Sequence, residues 1–304
     1  MNIPSRTPVL VAGPTASGKS ALALALAERI GGWVVNADSM QVYSGWQILT
    51  ARPDPAEIAR APHRLYGHID PTRRYSVGDW LREVTTVLAE ARDAGATPVI
   101  VGGTGLNFTA LTGGLSPIPP IPNDIRKGAE AKLAADGAEA FRRDLLARDP
   151  AAARLDIENP RRMLRAWEVL ETTGRSITDW ARDTPPPLLP LGTVTALAIE
   201  ADRDSLLDRI DRRFDAMLGA GMVDEVAAMR DRGLDPSLPA MKAVGAPPLM
   251  AHLAAEMTLD AAVTRARIDT RRYAKRQRTW LRNQMAEWTR IPMGASVETV
   301  LKML

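Results

Sequence analysis

Gly13-Pro14-Thr15-Ala16-Ser17-Gly18-Lys19-Ser20 is the stretch on which the reading of this chain turns. It fits the phosphate-loop pattern G-x-x-x-x-G-K-[ST] at every position. Pro8-Val9-Leu10-Val11-Ala12 ahead of it is a short apolar run that reads as a buried strand, and Ala21 to Ile30 behind it is an Ala/Leu-rich helix. Strand, glycine turn and helix together aim backbone N–H groups and a helix N-terminus at one anion. Gly13, Pro14, Thr15, Ala16, Ser17, Gly18, Lys19 and Ser20 are therefore the candidate residues for binding a di- or triphosphate. Lys19 adds a positive charge, and the Ser20 hydroxyl can hold Mg²⁺. The motif implies a bound di- or triphosphate and does not specify phosphoryl transfer.

Downstream, Trp33-Val34-Val35-Asn36 reads as a second strand running into Ala37-Asp38-Ser39-Met40-Gln41-Val42-Tyr43. Asp38 then stands at a strand's C-terminal end, where open α/β sheets bind ligands. Asp-Ser also caps turns, and position alone does not choose between the two. Residues 50–71, rich in proline and turn formers, read as surface structure, with His63 as a capping or packing residue. Asp79 to Ala94 reads as a helix with Trp80, Val84, Val87 and Leu88 on one face. Thr97-Pro98-Val99-Ile100-Val101 is a further buried strand, ending in Gly102-Gly103-Thr104-Gly105 ahead of a helix from Leu106 to Thr112. Repeated strand–glycine–helix units imply a parallel, doubly wound sheet with helices on both faces. No Asp or Glu follows Val101, where an ATPase would carry a metal-binding carboxylate. The carboxylate expected near the phosphates is Asp38, on a neighbouring strand.

Composition narrows the classes. The 304 residues suit one large domain or two smaller ones, and 45% hydrophobic residues suffice for a core. There is no cysteine and only three His, which excludes disulfides, cysteine zinc sites and thiol catalysis, and disfavours a histidine metal cluster. The start, Met1-Asn2-Ile3-Pro4-Ser5-Arg6, has no apolar leader region, and no run approaches the roughly 18 apolar residues of a membrane span. A cytoplasmic protein without membrane contact is expected. Net charge is only +3, but the cations are mostly Arg and cluster, which favours planar contact with phosphate.

Ser116-Pro117-Ile118-Pro119-Pro120-Ile121-Pro122 reads as a stiff linker. Beyond it the chain is helical: Ile125 to Ala135, Ala138 to Arg148, Ala151 to Leu155 and Pro160 to Thr173. Strand patterns return at Thr193 to Ile199. The expected organisation is thus a core in two parts, 1–116 and 191–304, interrupted by a helical insertion over 117–190. In that insertion Arg161, Arg162 and Arg165 crowd the first turns of one helix, against the helix dipole, and a nearby polyanion would resolve the conflict. Asp204 to Leu218 reads as a helix with Leu207, Ile210, Phe214 and Leu218 inward and Arg209, Arg212 and Arg213 off that stripe. Met222 to Arg232 reads as another helix. The last long helix, about Thr258 to Gln284, places Leu259, Val263, Ala266, Thr270, Tyr273, Gln277 and Trp280 on one face. Thr270, Tyr273 and Gln277 interrupt that apolar line, as residues at a site do. Between 265 and 282 there are eight basic residues and one acid, a density that suits a phosphate backbone or a pyrophosphate.

Taken together, the phosphate loop, Asp38-Ser39-Met40-Gln41-Val42-Tyr43, Pro62-His63-Arg64-Leu65 before Asp70-Pro71, Tyr75-Ser76-Val77 and Gly102-Gly103-Thr104-Gly105-Leu106 resemble the tRNA dimethylallyltransferases, or tRNA isopentenyltransferases. Arg162 with Arg165, and Thr270-Arg271-Arg272-Tyr273-Ala274-Lys275-Arg276-Gln277 with Thr279-Trp280, extend the resemblance over nearly the whole chain. The resemblance implies a P-loop kinase-like core with a helical insertion that grips the anticodon stem-loop, and Mg²⁺ as the metal. It implies transfer of a dimethylallyl group from dimethylallyl diphosphate to N6 of the adenosine just 3′ of the anticodon in tRNA, with release of diphosphate. Asp38 matches the family's general base, and Arg213 its diphosphate-contacting arginine. Thr15, Lys19 and Ser20 complete the catalytic set. Asp38, Ser39, Met40, Gln41, Thr104, Arg126, Arg161, Arg162, Met163, Leu164, Arg165, Lys242, Gly245, Lys275 and Arg278 are the expected tRNA-binding residues. A monomer is the family expectation.

The chain departs from the family pattern twice. Ile48-Leu49-Thr50-Ala51-Arg52-Pro53 has Leu49 in place of a usual glycine. Val244-Gly245-Ala246-Pro247-Pro248 lacks a usual Tyr after the glycine. Both bear on tRNA contacts near 242–247 and leave the diphosphate site untouched. Two other readings compete. An ATP-dependent kinase explains the loop but not the Arg-bearing insertion or the basic last helix. A non-catalytic RNA-binding protein leaves Asp38 without a task.

Overall fold

The computed structural model describes residues 7–303; the stretch 1–6, read above as lacking a leader region, lies outside them. In chain order the elements are β1 (Val9–Ala12), α1 (Lys19–Ile30), β2 (Gly32–Asn36), α2 (Pro55–Arg60), β3 (His63–Arg64), α3 (Val77–Asp93), β4 (Thr97–Gly102) and α4 (Gly105–Gly113). There follow α5 (Asn123–Arg148), α6 (Pro160–Thr173), α7 (Ile177–Arg182), β5 (Thr195–Glu200), α8 (Arg203–Gly219), α9 (Met222–Asp231), α10 (Ala246–Leu253), α11 (Leu259–Gln284), β6 (Thr289–Pro292) and α12 (Val297–Met303). The described residues fall into two compact units, one made of residues up to 112 and from 188 on, the other of 113–187.

The first unit is built on a six-stranded sheet in the order β3-β2-β4-β1-β5-β6, with every pairing parallel. This is the doubly wound α/β architecture expected from the strand–glycine–helix units. Its inner strands β1 and β4 are buried along their whole length because both faces are covered. Val9 and Val11 pack with Leu22, Leu26 and Val300 on one face, and Leu10 and Ala12 with Trp80, Phe108 and Leu281 on the other. The order corrects one expectation: β4 lies between β1 and β2, so Asp38 follows a strand that is not adjacent to that of the phosphate loop.

Strand ends meet at a backbone distance that only glycine allows. A Cβ at Gly102 would stand 2.2 Å from the Ala37 carbonyl oxygen. There Gly13 N–H donates to Gly102 O at 3.3 Å and Ala37 N–H to Val101 O at 2.7 Å, locking the ends of β1, β4 and β2 together.

Beside the sheet a third apolar cluster, around Trp46, Phe214, Met222, Leu249 and Ala266, joins α8, α9, α10 and α11 to the loop after β2. Both departures from the family pattern fall in it. Leu49 is buried there, 3.3 Å from where a Cβ of Gly245 would stand, and Ala246 is fully buried in the same cluster. The inward stripe of α8 is Leu206, Ile210 and Phe214, so Leu206 takes the place expected of Leu207. On α11 the buried residues are Ala262, Ala266, Ala274, Gln277 and Leu281, whereas Leu259 is exposed. The segment 50–71, read as surface structure, contains α2 and the edge strand β3.

The second unit has its own core of Phe141, Leu145, Met163, Ala166 and Trp167. Within α5 the backbone leaves helical geometry at Gly137 (φ 78°, ψ 163°), so two helices meet there at a kink. Asn159 caps α6 by accepting from Arg161 N–H at 3.0 Å.

Two glycine substitutions test the backbone argument. Gly102→Ala should destabilise the protein by roughly 1–3 kcal/mol, because its neighbour is backbone and cannot turn aside. Gly128→Ala, inside α5 with nothing within 4 Å of the new methyl, should stabilise by about 0.5–1 kcal/mol. Urea denaturation midpoints check both.

Candidate active site

The phosphate loop is shaped by its own residues. Ser17 N–H donates to Pro14 O at 3.2 Å. Gly18, with φ 86°, turns the chain into α1 in a left-handed conformation that glycine adopts without strain. The Lys19 ammonium reaches back to Pro14 O at 3.4 Å. In front of the loop opens a cleft of about 750 Å³ lined by Thr15, Ala16, Gly18, Lys19, Ser20, Asp38, Gln41, Arg209 and Arg213, among others. Gly13, Pro14 and Ser17 are buried in the loop's body and do not line it.

Asn36 decides how Asp38 is presented. Fully buried at the end of β2, its amide nitrogen donates to Asp38 O at 3.0 Å and Leu65 O at 2.9 Å, while its Oδ1 accepts Asp38 N–H at 2.8 Å. The Asp38 carboxylate takes both roles open to it from the sequence. Its Oδ1 accepts Met40 N–H at 2.9 Å, as a turn cap does, and the residue lines the cleft.

Lys19 and Arg213 interact with this carboxylate, and Arg209 lines the same cleft. Arg213, one turn beyond Arg209 on α8, has its guanidinium pushed down by burial, against which the charge of Asp38 acts. Arg209 lies over the phosphate loop: a Cβ at Gly18 would be 3.6 Å from its Nη1. Burial pushes the Lys19 ammonium down to about 8; Asp38 opposes that shift and Arg213 adds to it. Arg209 was missing from the expected site. The signal for it was its i, i+4 spacing to Arg213, which places both on one helix face.

A second loop adjoins the cleft. Thr104 Oγ1 accepts Ser39 N–H at 3.0 Å, tying the β4–α4 turn to the Asp38 loop. Here α11 supplies the packing. A Cβ at Gly103 would stand 2.2 Å from Gln277 Nε2, and one at Gly105 2.1 Å from the Trp280 ring. Gln277 accepts Thr15 N–H at 2.8 Å and donates to Gly103 O at 2.9 Å. The Tyr273 phenol, beside Thr104 and Gln277, is pushed up by burial first and by the charge of Asp38 second. Of the polar line on α11 noticed in the sequence, Tyr273 and Gln277 therefore face the site, whereas Thr270 donates back to Ala266 O at 2.8 Å within the helix.

The charges of α11 divide along its length. Arg265 and Arg272 pair with Asp269, Arg267 with Asp215 and Arg271 with Asp211. Lys275, Arg276, Arg278 and Arg282 have no ion pair among the described residues. Lys275 and Arg278 are shared by two further clefts, of about 790 and 470 Å³.

The comparisons decide the family. A family model described as IPP transferase matches residues 41–284, and one described as isopentenyl transferase matches residues 7–74. A tRNA dimethylallyltransferase of Dinoroseobacter shibae is 55% identical over 95% of this chain and 96% of its own. The chain belongs to the tRNA dimethylallyltransferase family. Another member, from Nitrobacter hamburgensis, is 56% identical over 92% of this chain and 90% of its own. Among solved structures, the tRNA isopentenylpyrophosphate transferase of Bacillus halodurans has a TM-score of 0.70 at 33% identity, covering 98% of this chain and 94% of that one. A eukaryotic dimethylallyltransferase acting on tRNA shares the fold, with a TM-score of 0.79 at 23% identity over 95% of this chain and 74% of that one.

Against the residues expected from the tRNA dimethylallyltransferase resemblance, two placements are corrections. Met163 is a core residue of the second unit and Gly245 a buried left-handed helix cap (φ 94°), so neither offers a surface to RNA. Ser39 and Met40 are half-buried on the Asp38 loop, and Lys242 is exposed. In the second unit Arg161 is exposed and Leu164 half-buried. Arg162 pairs with Asp156 at 3.2 Å. Arg126 and Arg165 share the buried Glu168, at 3.7 and 3.6 Å. Carboxylates thus answer part of the charge that crowds the start of α6.

Two measurements probe the cleft. A bound anion favours the ammonium form of Lys19, which the free protein loses as pH rises through about 8. The ratio of wild-type to Lys19→Arg affinity for pyrophosphate should therefore fall between pH 7 and 9.5, as titration calorimetry reads it, and a flat ratio would contradict the burial argument. Arg209→Ala should weaken pyrophosphate binding by about tenfold or more, the scale of one charge-assisted hydrogen bond.

Proposed function

We propose that this chain transfers a dimethylallyl group from dimethylallyl diphosphate to N6 of the adenosine 3′-adjacent to the anticodon of tRNA, releasing diphosphate. The observation that carries the reading is the cleft itself: Lys19, Arg209 and Arg213 line it together with Asp38 in front of a phosphate loop. β4 ends in glycine, so no acidic residue stands where a nucleotide kinase would hold its metal.

The chemistry follows from the charges. The C–O bond of the donor breaks with its electron pair going to the diphosphate. Loop N–H groups, Lys19 and the two arginines stabilise that developing charge. Adenine N6 has its lone pair delocalised into the ring, so the allylic carbon carries considerable cationic character before N6 attacks it. The new bond acidifies the N6 proton, and Asp38 accepts it. Thr104, on the loop joined to that of Asp38, lies where the adenosine would be held. A base stacked in a helix could not reach the cleft, so the adenosine is flipped out of its loop.

A divalent metal fits this site only together with the donor. Among the described residues no group of three or more His, Cys, Asp or Glu could hold one, whereas the exposed Ser20 hydroxyl stands at the start of α1 in the cleft. Ser20 and the diphosphate oxygens make an oxygen-only set that suits Mg²⁺, and Mg²⁺ when bound neutralises charge on the leaving diphosphate.

Lys275 and Arg278 on the unpaired half of α11 contact the RNA backbone, and the unit 113–187 grips the anticodon arm through Arg126, Arg161, Arg162 and Arg165. Among the described residues no helix is long and apolar enough to cross a membrane. We place the protein, a monomer, in the cytoplasm.

The test uses the protein with Mg²⁺, dimethylallyl diphosphate and an unmodified anticodon stem-loop carrying adenosines after the anticodon. Mass spectrometry should show the RNA gaining one dimethylallyl group. No gain, with ATP consumed in its place, would make the protein a kinase. Asp38→Ala should leave RNA binding near normal and cut transfer by roughly two or more orders of magnitude.

A further inference from the structure

We infer that Gln277 is a positioning residue that fixes the diphosphate loop relative to the loop that holds the acceptor base. The inference rests on the transferase reading above and assigns a task to a side chain that touches neither substrate.

Its geometry is specific to an amide. Gln277 is buried, with 6% of its surface exposed. Its Oε1 accepts Thr15 N–H at 2.8 Å and its Nε2 donates to Gly103 O at 2.9 Å. One planar group thus meets a donor on the phosphate loop and an acceptor on the β4–α4 turn, the complementary pair that a carboxamide's oxygen and nitrogen match. Thr15 lines the donor cleft. Gly103 immediately precedes Thr104, whose hydroxyl holds the Asp38 loop through Ser39 N–H at 3.0 Å. The bridge therefore connects the cradle of the leaving group to the segment carrying the proton acceptor and the adenosine contact.

Two neighbouring observations show that the contact is built rather than incidental. Gly103 has no room for a side chain because Gln277 Nε2 occupies the place, 2.2 Å from where a Cβ would be. Three residues further along α11, Trp280 fills the same kind of space against Gly105. The residue therefore sets the separation between an allylic carbon held by its diphosphate and the N6 that attacks it. Group transfer is steep in that separation: a displacement of about 1 Å can cost on the order of a hundredfold in rate.

Steady-state kinetics with dimethylallyl diphosphate and the anticodon stem-loop test the role. Gln277→Leu removes both hydrogen bonds. It should lower kcat by about 10- to 100-fold while the KM values for donor and RNA stay within about threefold and pyrophosphate still inhibits. Gln277→Glu supplies the rescue. When protonated, the carboxyl of that variant has an O–H for Gly103 O and a carbonyl oxygen for Thr15 N–H, whereas its carboxylate faces Gly103 O with a second acceptor. The ratio of the variant's kcat to that of wild type should therefore rise as pH falls from 8 to 6. Should Gln277→Leu not fold, Gly103→Ala displaces the amide from the other side, and the same selective loss of kcat is expected.

Unchanged kcat in folded variants would overturn the proposal. So would a loss of activity that active-site titration assigns wholly to a smaller fraction of folded protein. Wild-type protein that transfers nothing would instead sink the transferase reading. Amide exchange at Thr15, faster in Gln277→Leu if the bridge holds that N–H and unchanged if it does not, reads the bridge without any turnover.

Discussion

At the C-terminal edge of the sheet three backbones run so close that a methyl group has no place between them. Gly13, Gly102 and Ala37 lie at the ends of β1, β4 and β2, and the hydrogen bonds across them leave glycine as the residue that fits at 102. Everything functional is referred to this contact. The phosphate loop leaves it on one side and the Asp38 loop on another, while the Gly103–Thr104 turn rises between them. Because the anchors are backbone, their relative positions do not depend on rotamers, which makes a precise site possible on loops that would otherwise be free to drift.

The charges at this edge are arranged for an occupant. Lys19, Arg209 and Arg213 line one cleft, Arg213 acts against the charge of Lys19, and the depressed Lys19 shows the strain that burial places on the ammonium form. Asp38 relieves only part of it. In the proposed reaction a diphosphate would relieve the rest, and the same groups would hold it more strongly as its charge grows during bond cleavage. On α11 the two halves differ. The half nearer its N-terminus pairs its arginines with carboxylates, two of them on α8, whereas the cations beyond residue 274 have no ion pair among the described residues. Ion pairs fasten the helix at one end and leave the other with charge for a polyanion.

The parts of the structure that local pattern dictates were legible in the amino-acid order. The phosphate loop, the four strands around it, the helical insertion and the two helices with Arg209 and Arg213 or Lys275 and Arg278 all announce themselves by periodicity or motif. The edge strands did not. β3 is two residues long and polar, and β6 carries Thr, Arg and Pro, so neither shows the apolar run of a buried strand. Leu206 and Leu207 are adjacent leucines, and only tertiary packing chooses between them. Gln277 stood out as polar on an apolar face, but its partners, Thr15 and Gly103, are more than 170 residues away in the chain. Asp38 was undecided between cap and ligand because position alone does not distinguish them; in the fold its Oδ1 caps the turn while the residue also lines the cleft.

Leu49 and Gly245 touch, and Ala246 lies in the same buried cluster. Apart in the chain, the two departures from the family pattern are one change in space: a side chain gained on the loop after β2 and a bulky one forgone at the start of α10. The two positions share one buried cluster, so a change of side-chain volume at either is felt at the other.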